Sequence, residues 1–365
     1  MSKDMQKYTD YINNFNGNIL LGCDGFVDET YEIVEERTSQ TNYTAMKQLK
    51  HFGELLVARA DGGVGVELVW KRRCEGGCGI NTGRIAACLG IKPILPGLYG
   101  DKEIDSAFEE FKDSCELLSL GDPALTIALE FPDGKVLMSD LKAVSNLTWA
   151  DVQKRLGEAK LKEIFADLDI LGLGYWSLTA NFDDIFRGFM AQCAHDNPPK
   201  RMFFDFADIK KKSSEAFKKS LELISSYNAK IPNTLSLNEH EVLELFTRVG
   251  MEQPPLEPEA IANALKVARE TIGFDELVVH TPDFGAASSA SDGEAYALQE
   301  RQTDVVRLAG AGDSFNGGYL CASLGDLPLK ERLVIANAAT AFFVTHATGP
   351  TREQLIAQIE KASDK

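Results

Sequence analysis

Short apolar runs alternate with longer helical patterns along most of the chain. Runs rich in Leu, Ile, Val or Phe predict strands at residues 18–23, 168–174, 201–206, 233–237 and 276–281. Several are apolar on both faces, as strands buried inside a parallel sheet are. Apolar positions at helical spacing predict helices at residues 80–90, 183–195, 214–227, 259–273 and 329–347. The alternation predicts an α/β fold with a mainly parallel central sheet and helices on both faces.

Two segments depart from this alternation. Residues 29–75 are largely polar and include a helix-like stretch, 43–60, followed by a glycine-rich one. Residues 125–141 predict a hairpin around Pro132-Asp133-Gly134, a sequence typical of a tight turn. We expect both segments to add strands outside the main sheet and to form a small β-rich lid, on a chain that is otherwise one domain spanning residues 1–365.

Charge and composition exclude some classes of protein. The chain has 38 basic and 55 acidic residues, a net charge of -17, which argues against nucleic acid or an anionic membrane as partner. The N-terminus lacks the apolar core of a signal peptide, and no apolar run is long enough to span a membrane, so we expect a cytoplasmic protein. The seven cysteines are irregularly spaced, which favours reduced thiols over a zinc site or disulfides.

A glycine turn, Gly310-Ala311-Gly312-Asp313, opens a predicted helix near the C-terminus. Such a turn presents backbone N–H groups, and the helix start adds positive potential, so together they favour a phosphate site. Asp313 would repel phosphate, unless its task is to accept a proton. The turn lacks the Lys and Ser/Thr of a P-loop and the third glycine of a dinucleotide fingerprint. A glycine-rich turn with an Asp cap is the alternative.

A second glycine turn lies near the N-terminus. Gly76 and Gly77 precede a predicted helix, with Asn81 in its first turn, where an amide suits recognition of hydroxyl groups. Asp24 and Asp28 follow the first predicted strand, and ligands of open α/β sheets bind beyond the carboxyl ends of strands. Either aspartate could instead be a capping or turn residue.

Together these features resemble the PfkB, or ribokinase-like, family of carbohydrate kinases. Four motifs carry the resemblance, in family order between residues 18 and 350: the aspartate at Asp28, GGCGIN at 76–81, NEHE at 238–241 and GAGDSF at 310–315. The resemblance implies a ribokinase-like fold and transfer of the γ-phosphate of ATP to a hydroxyl of a sugar or sugar-like substrate. It also implies Mg²⁺ as cofactor, and a homodimer through the lid is a further expectation.

The resemblance assigns roles to individual residues. Asp313 is implied as general base, and Gly310, Ala311 and Gly312 as an anion hole for the transferring phosphate. Asn238 and Glu241 are implied to hold Mg²⁺ through water. The remaining implied contacts are Asp28, Gly76, Gly77 and Asn81 to the sugar, and His280, Thr281, Gly285 and Asn337 to the nucleotide.

The chain departs from the family pattern at two places. Arg307 and Leu308 replace an Asp-Thr pair that accompanies a monovalent-cation site in many relatives. The guanidinium of Arg307 could supply the charge that K⁺ supplies elsewhere, or Arg307 could be a surface residue. His280 and Pro282 replace Thr and Gly in the nucleotide loop, which leaves ATP or ADP open as phosphate donor. A His280 that packs at the end of a strand is the alternative to nucleotide contact.

Other interpretations stay open at this point. A basic group could bind a phosphorylated sugar or form a solvated edge: Lys71, Arg72, Arg73 and Arg84. The chain could be a kinase-fold protein that binds sugar or nucleotide with little turnover, or a kinase that acts on a nucleoside. A nucleotide-dependent oxidoreductase is disfavoured, because the first strand lacks a dinucleotide fingerprint. The sequence does not name the sugar.

Overall fold

The computed structural model describes residues 3–193, 198–325 and 327–363. Within these ranges the strands are β1 (Ile19–Gly22), β2 (Phe26–Arg37), β3 (Tyr43–Ala45), β4 (Leu68–Gly76), β5 (Ile94–Gly97), β6 (Glu116–Ser119), β7 (Ala124–Phe131), β8 (Gly134–Asp140), β9 (Ile170–Gly174), β10 (Arg201–Asp205), β11 (Asn233–Asn238), β12 (Glu276–His280), β13 (Phe284–Ser289) and β14 (Gly293–Leu298). The helices are α1 (Lys3–Asn13), α2 (Leu49–Ala58), α3 (Cys78–Cys88), α4 (Lys142–Asn146), α5 (Trp149–Phe165), α6 (Phe182–Gln192), α7 (Ser214–Ser225), α8 (Glu239–Arg248), α9 (Pro258–Ile272), α10 (Ala311–Ala322), α11 (Leu329–His346) and α12 (Arg352–Ser363).

A nine-stranded sheet forms the centre of the fold, in the order β14-β13-β12-β11-β10-β9-β1-β5-β6. The strands from β12 to β6 pair in parallel, and β13 and β14 add an antiparallel edge. In the middle of the sheet, Leu171 lies between Leu20 and Met202 in register. The mainly parallel sheet confirms the prediction from apolar runs.

Two hydrophobic cores cover the two faces of this sheet, because successive strand residues point to opposite sides. Leu171 and Phe204 pack into one core with α5, α6, α7, α8 and α9, whereas their neighbours Ile170 and Phe203 pack into the other. The second core includes α1, α3, α10, α11 and α12. The central strands must therefore be apolar on both faces, which is why they could be recognised in the sequence.

A five-stranded sheet lies beside the main one and is built around β2. This strand pairs antiparallel with β3 and β4 and parallel with β7, and β8 completes the hairpin with β7. Helix α2 covers one face through a small core of Ile33, Met46, Phe52, Leu129 and Phe131. The helix-like reading of residues 43–60 was wrong at its start, since residues 43–45 are strand β3 and the helix begins at Leu49.

Two further predictions can be compared with the residues that the structure describes. Helix α6 ends at Gln192, and the last part of the predicted helix 183–195, including His195, lies outside the described residues. Within the described residues, no helix is both long enough and apolar enough to cross a membrane.

Candidate active site

Two helix N-termini lie side by side beyond the carboxyl ends of the parallel strands. Gly77 and Gly310 precede α3 and α10 with φ angles of 119° and 93°, which favour glycine. Helices α3 and α10 pack closely at Gly317: a Cβ atom there would lie 2.5 Å from Cβ of Ile85 and 2.8 Å from the carbonyl oxygen of Thr82. This close contact brings the two glycine turns of the sequence together.

Asp313 lies in the first turn of α10, facing α3. One oxygen of its carboxylate, one oxygen of the Asp205 carboxylate and Sγ of Cys78 all lie within 4.8 Å of one another. Burial, reinforced by the charges of Asp205 and Asp24, raises the pKa of Asp313 well above its usual value, while hydrogen bonds from Cys78 and Asn81 oppose the increase. A carboxylate with a raised pKa beside a helix N-terminus has the properties of a proton acceptor.

Asp24 serves a different purpose. Its buried carboxylate accepts hydrogen bonds from the backbone N–H groups of Cys78, at 2.6 Å, and Gly79, at 3.1 Å. Burial raises the pKa of Asp24 to about 6 despite these bonds. Asp24 thus occupies N–H groups at the start of α3, and the glycine turn at α10 is better placed to receive a phosphate. The capping interpretation describes Asp24.

Asp28 is the third residue of β2, on the face of the small sheet that is turned towards α10. Its Oδ1 lies 3.0 Å from the position that a Cβ on Gly76 would take, so Asp28 sits directly beside the N-terminal glycine turn. A cleft of about 480 Å³ separates Asp28 from residues 305–309, and Lys135 and Leu137 line the same side of it as Asp28. Burial raises the pKa of Asp28. Of the residues predicted for the sugar, Asn81 hydrogen-bonds to Asp313, and Asp28 lies beside the N-terminal glycine turn of Gly76 and Gly77.

Asp205 is a site residue that the sequence interpretation missed. It ends β10, and its carboxylate accepts hydrogen bonds from Nδ2 of Asn316, at 2.8 Å, and from the backbone N–H of Ala207, at 2.9 Å. Burial raises its pKa. A signal for it existed, since Asp205 follows an apolar strand at the sheet edge where the other polar residues gather.

Asn238 and Glu241 form a capping box at the start of α8. Oδ1 of Asn238 accepts hydrogen bonds from the N–H groups of His240 and Glu241, and Oε2 of Glu241 accepts one from the N–H of Asn238. Burial, together with the charge of Asp205, raises the pKa of Glu241 to about 8. Buried carboxyl groups that repel one another fit a hard cation such as Mg²⁺, which takes oxygen ligands and keeps several waters.

A cavity of about 600 Å³ opens on the other side of the α10 N-terminus. Of the predicted residues, it is lined by Asn238, His280, Thr281, Ala311 and Gly312. Phe315 and Val344 supply apolar wall, a combination typical of a ligand pocket with a few polar groups. The volume and lining of this cavity are those of a pocket for a small organic ligand.

Gly285 and Asn337 pack behind the wall of this cavity and do not line it. A Cβ on Gly285 would lie 3.0 Å from Oδ1 of Asn337 and 3.1 Å from the Phe315 ring. Nδ2 of Asn337 donates to the carbonyl of Ala297, at 2.9 Å, whereas its buried Oδ1 has no hydrogen-bond partner among the described residues. Their nucleotide contact stays a prediction.

Arg307 lies at the base of the C-terminal glycine turn. Its Nε donates to the carbonyl of Ala309 at 3.1 Å, and its Nη2 lies 3.6 Å from the buried carboxylate of Glu75. The guanidinium also lies over the ring of Phe343, 5.7 Å from its centroid. Arg307 is therefore a paired, half-buried cation and not a freely solvated one.

The other basic residues are also paired with carboxylates. Arg84 contacts Glu75, and the ion pairs of the remaining three are Lys71 with Glu32, Arg72 with Glu130, and Arg73 with both Glu29 and Asp105. Their charges are already balanced, which weakens the phosphorylated-sugar interpretation and agrees better with a solvated, salt-bridged edge.

Comparisons with known proteins give the same picture. The family model of prokaryotic ketohexokinase matches residues 11–362. The ketohexokinase of Haloferax volcanii is 29% identical over 346 residues, which cover 93% of this chain and 90% of the relative. Arabidopsis thaliana ribokinase, solved with ribose and ATP, superposes with a TM-score of 0.64 at 17% identity, over 94% of this chain and 98% of its own. A candidate ribokinase II from Escherichia coli, solved with ATP and Mg²⁺, gives 0.64 at 14% identity, over 95% and 99%.

The fold and the family match define a carbohydrate kinase of the ribokinase-like, or PfkB, class, as the sequence motifs predicted. Such an enzyme is a phosphotransferase with an alcohol group as acceptor. Within this class, the chain belongs to the prokaryotic ketohexokinase family.

Proposed function

We propose that this protein transfers the γ-phosphate of ATP to a hydroxyl group of a ketohexose, with Asp313 as general base. One observation carries the proposal: the turn that ends in Asp313 separates two cavities. Ala311 and Gly312 line the cavity of about 600 Å³, and Ala309 lines the cleft that contains Asp28. The identity of a relative as ketohexokinase and the ATP bound to two structural neighbours support the choice of substrates.

In this mechanism the sugar lies in the cleft, where Asp28, the Gly76-Gly77 turn and Asn81 orient its hydroxyl groups. The reacting hydroxyl oxygen forms a bond to the γ-phosphorus, the bond from that phosphorus to the β-bridging oxygen breaks, and the hydroxyl proton moves to Asp313. Backbone N–H groups at the start of α10 stabilise the charge on the transferring phosphate. Alignment of the two substrates supplies much of the acceleration.

Mg²⁺ fits the acidic edge beside this turn. Glu241, Asn238 and Asp205 are the residues that would hold it, through water. When bound, Mg²⁺ would neutralise phosphate charge. The capping box of α8 fixes the positions of Asn238 and Glu241 before any ligand arrives.

The decisive experiment replaces the base. Asp313→Asn keeps the size of the side chain, and we expect kcat to fall roughly 10²–10⁴-fold while MgATP still binds in calorimetry. Asp184→Asn is the matched control, because Asp184 also lies in the first turn of a helix, α6, but far from the site in the chain and exposed. Turnover of Asp313→Asn within tenfold of wild type would remove Asp313 from this role. A panel of ketohexoses, aldohexoses and nucleosides, each with ATP and with ADP, tests the substrates.

We also infer that Arg307 replaces a monovalent cation. Its Nε already satisfies the carbonyl of Ala309, next to the glycine turn, and its Nη2 lies 3.6 Å from Glu75, a carboxylate that also pairs with Arg84. We expect wild-type kcat to be equal in K⁺ and in tetramethylammonium salts, and Arg307→Met to lower it. Arg187→Met, which alters an exposed arginine on α6, is the control. A strong K⁺ requirement of the wild-type enzyme would refute this inference.

A homodimer through the small sheet is a further proposal. The strand register puts four exposed apolar residues on the face turned away from the cleft: Leu68, Trp70, Leu125 and Met138. A second copy of this face would remove them from water. Light scattering after gel filtration should give twice the chain mass for wild type and the single mass for Trp70→Lys combined with Met138→Lys. A monomeric wild type would exclude the proposal.

A further inference from the structure

A further cavity, distinct from the two that flank the C-terminal glycine turn, lies behind Arg307. It has a volume of about 470 Å³ and is bordered by α3, by residues 110–114 and by the end of α11. The charged residues that line it are Glu75, Arg84, Glu110 and Arg307. Arg307 also lines the cleft that contains Asp28, so its guanidinium belongs to the wall between the two spaces.

Two guanidinium groups share one buried carboxylate in this cavity. Glu75 is 6% exposed, it contacts Nη2 of Arg84, and Nη2 of Arg307 lies 3.6 Å from it. Glu110 lies 3.5 Å from Arg84 but is largely exposed, and a solvated ion pair of this kind contributes little. If Glu75 balances the charge of Arg84, the charge of Arg307 stays uncompensated, so the buried part of the wall carries a surplus positive charge.

Both guanidinium groups keep donors that the protein does not use. Within the described residues, Nε and Nη1 of Arg84 have no hydrogen-bond partner, and the same holds for Nη1 of Arg307. Arg84 lies over the buried ring of Phe111, with Cζ 4.9 Å from the ring centroid, and this contact holds the plane of its donors. Guanidinium donors held in a plane match the oxygens of a phosphate group, to which they can bond two at a time.

We propose that this cavity binds a phosphate monoester, with the phosphate group between Arg84 and Arg307. The surplus charge favours a dianion, and a cavity of about 470 Å³ has room for a small organic group on the phosphate. The site lies outside the proposed sugar cleft and the proposed nucleotide cavity, so its ligand regulates the enzyme and does not react.

Arg307 connects this site to the cleft. Burial raises the pKa of Asp28, and the charge of Arg307 is among the effects that oppose the increase. A dianion beside Arg307 would offset part of that charge and so weaken the support for the ionised form of Asp28. This coupling rests on the proposed function, which assigns Asp28 to the sugar. We expect the bound ligand to raise the KM for the sugar roughly fivefold, the lower end of the range for coupled sites.

The test measures binding without turnover. Wild type, Arg84→Gln, Ala87→Leu and Glu110→Gln are titrated by calorimetry with methyl phosphate at constant ionic strength. Arg84→Gln removes charged donors, and Ala87→Leu fills the cavity from α3 without changing a charge, so each should weaken binding roughly 10–100-fold. Glu110→Gln removes an exposed competitor for Arg84 and should tighten binding roughly two- to fivefold.

Matched controls and a second ligand sharpen the comparison. Arg187→Gln alters an exposed arginine on α6, and Glu109→Gln makes the same charge change next to Glu110, at a residue that pairs with Lys112. Both should bind methyl phosphate as wild type does. Methyl sulfate has the same shape with one charge fewer and should bind more weakly. If Arg84→Gln does not fold, as judged by its thermal transition, the other two variants decide, because neither removes a partner of Glu75.

The outcomes separate this inference from the proposed function. Absence of saturable binding to wild type, equal binding by Ala87→Leu, or equal binding of methyl sulfate overturns the inference. A wild type that phosphorylates sugars but binds no methyl phosphate leaves the proposed function standing. A wild type that binds methyl phosphate with the expected variant pattern, but phosphorylates no sugar, confirms the site and overturns the proposed function. An unchanged sugar KM at saturating methyl phosphate refutes the regulatory role.

Discussion

Gly317→Ala tests whether the contact between α3 and α10 sets the geometry of the site. Gly317 lies one helical turn after Asp313 on α10, and Thr82 lies one turn after Cys78 on α3. Gly317 therefore faces Thr82 one turn below the level at which Asp313 faces Cys78. The added methyl group would lie 2.5 Å from Cβ of Ile85 and 2.8 Å from the carbonyl oxygen of Thr82. Neither atom can rotate away, because one is fixed to the backbone and the other belongs to it.

The expected size of the effect follows from these distances. Ordinary contact begins at 3.4 Å, so the helices must separate by roughly 1 Å. Overpacking of this kind costs about 1–3 kcal/mol, partly offset by the better helix propensity of alanine, about 1 kcal/mol. Because the same displacement moves Asp313 away from the N-terminal glycine turn, we expect kcat to fall roughly 10–100-fold.

Gly53→Ala is the matched control for this variant. Gly53 also lies inside a helix, α2, and a Cβ there would meet no atom within 4 Å. It gains the same helix propensity without the collision. The free energies of unfolding, from urea titrations, should therefore differ by about 1–3 kcal/mol between the two variants. A coupled assay of ADP release gives kcat.

Two results would refute this reasoning. If Gly317→Ala is as stable and as active as Gly53→Ala, the α3–α10 contact adapts without moving Asp313. If stability falls but kcat does not, the contact stabilises the fold without setting the distance between the two turns. A loss of both, with KM for the sugar changed less than kcat, agrees with the structure.

Three other perturbations follow from the buried charges. Burial, and after it the charge of Asp205, raises the pKa of Asp313. Asp205→Asn should therefore lower the pKa of Asp313 and shift the acid limb of the pH–kcat profile to lower pH. A shift to higher pH would contradict repulsion between the two carboxylates. Burial raises the pKa of Glu241 to about 8, so the folded state favours the protonated carboxyl group, and the stability of the fold decreases as pH rises from about 4.5 through 8. Glu241→Gln should therefore raise the melting temperature more at pH 8 than at pH 5. An equal change at both pH values would contradict the shift. Glu276 accepts hydrogen bonds from the buried Arg332 and from Tyr319. Glu276→Ala should therefore lower the free energy of unfolding, measured in urea, by about 3–5 kcal/mol, and a loss below 1 kcal/mol would show that water replaces the carboxylate.

The central sheet could be predicted because burial on both faces leaves a strong mark on the sequence. The small sheet left a weaker one: β2 is a strand of twelve residues that is rich in acidic side chains, and its exposed half resembles a polar loop. After Phe284, strand β13 (FGAASS) has only small residues, which give a weak strand signal, and at Gly285 a side chain would collide with Phe315 and Asn337. In both cases tertiary packing, and not local preference, determines the strand.

The glycine turns could be predicted because positive φ angles and close approach require glycine at particular positions. The roles of the neighbouring acids could not be read in the same way. Asn238 and Glu241 have the spacing of a capping box, and the same spacing serves a metal motif, so the sequence alone could not separate the two. Asp205 comes within reach of Asp313 although the two are 108 positions apart in the chain, because β10 ends and α10 begins at the same edge of the sheet.

The acidic residues at this edge show why the site is also a point of strain. Asp24, Asp205, Glu241 and Asp313 come from separate parts of the chain, and burial raises the pKa of each. Hydrogen bonds to backbone N–H groups relieve Asp24, Asp205 and Glu241 in part, and hydrogen bonds from the side chains of Cys78 and Asn81 relieve Asp313. Burial, reinforced by the charges of Asp205 and Asp24, therefore raises the proton affinity of the carboxylate that, in the proposed reaction, takes a proton from the sugar. The burial and repulsion that weaken the fold here are therefore the same effects that make Asp313 a stronger base.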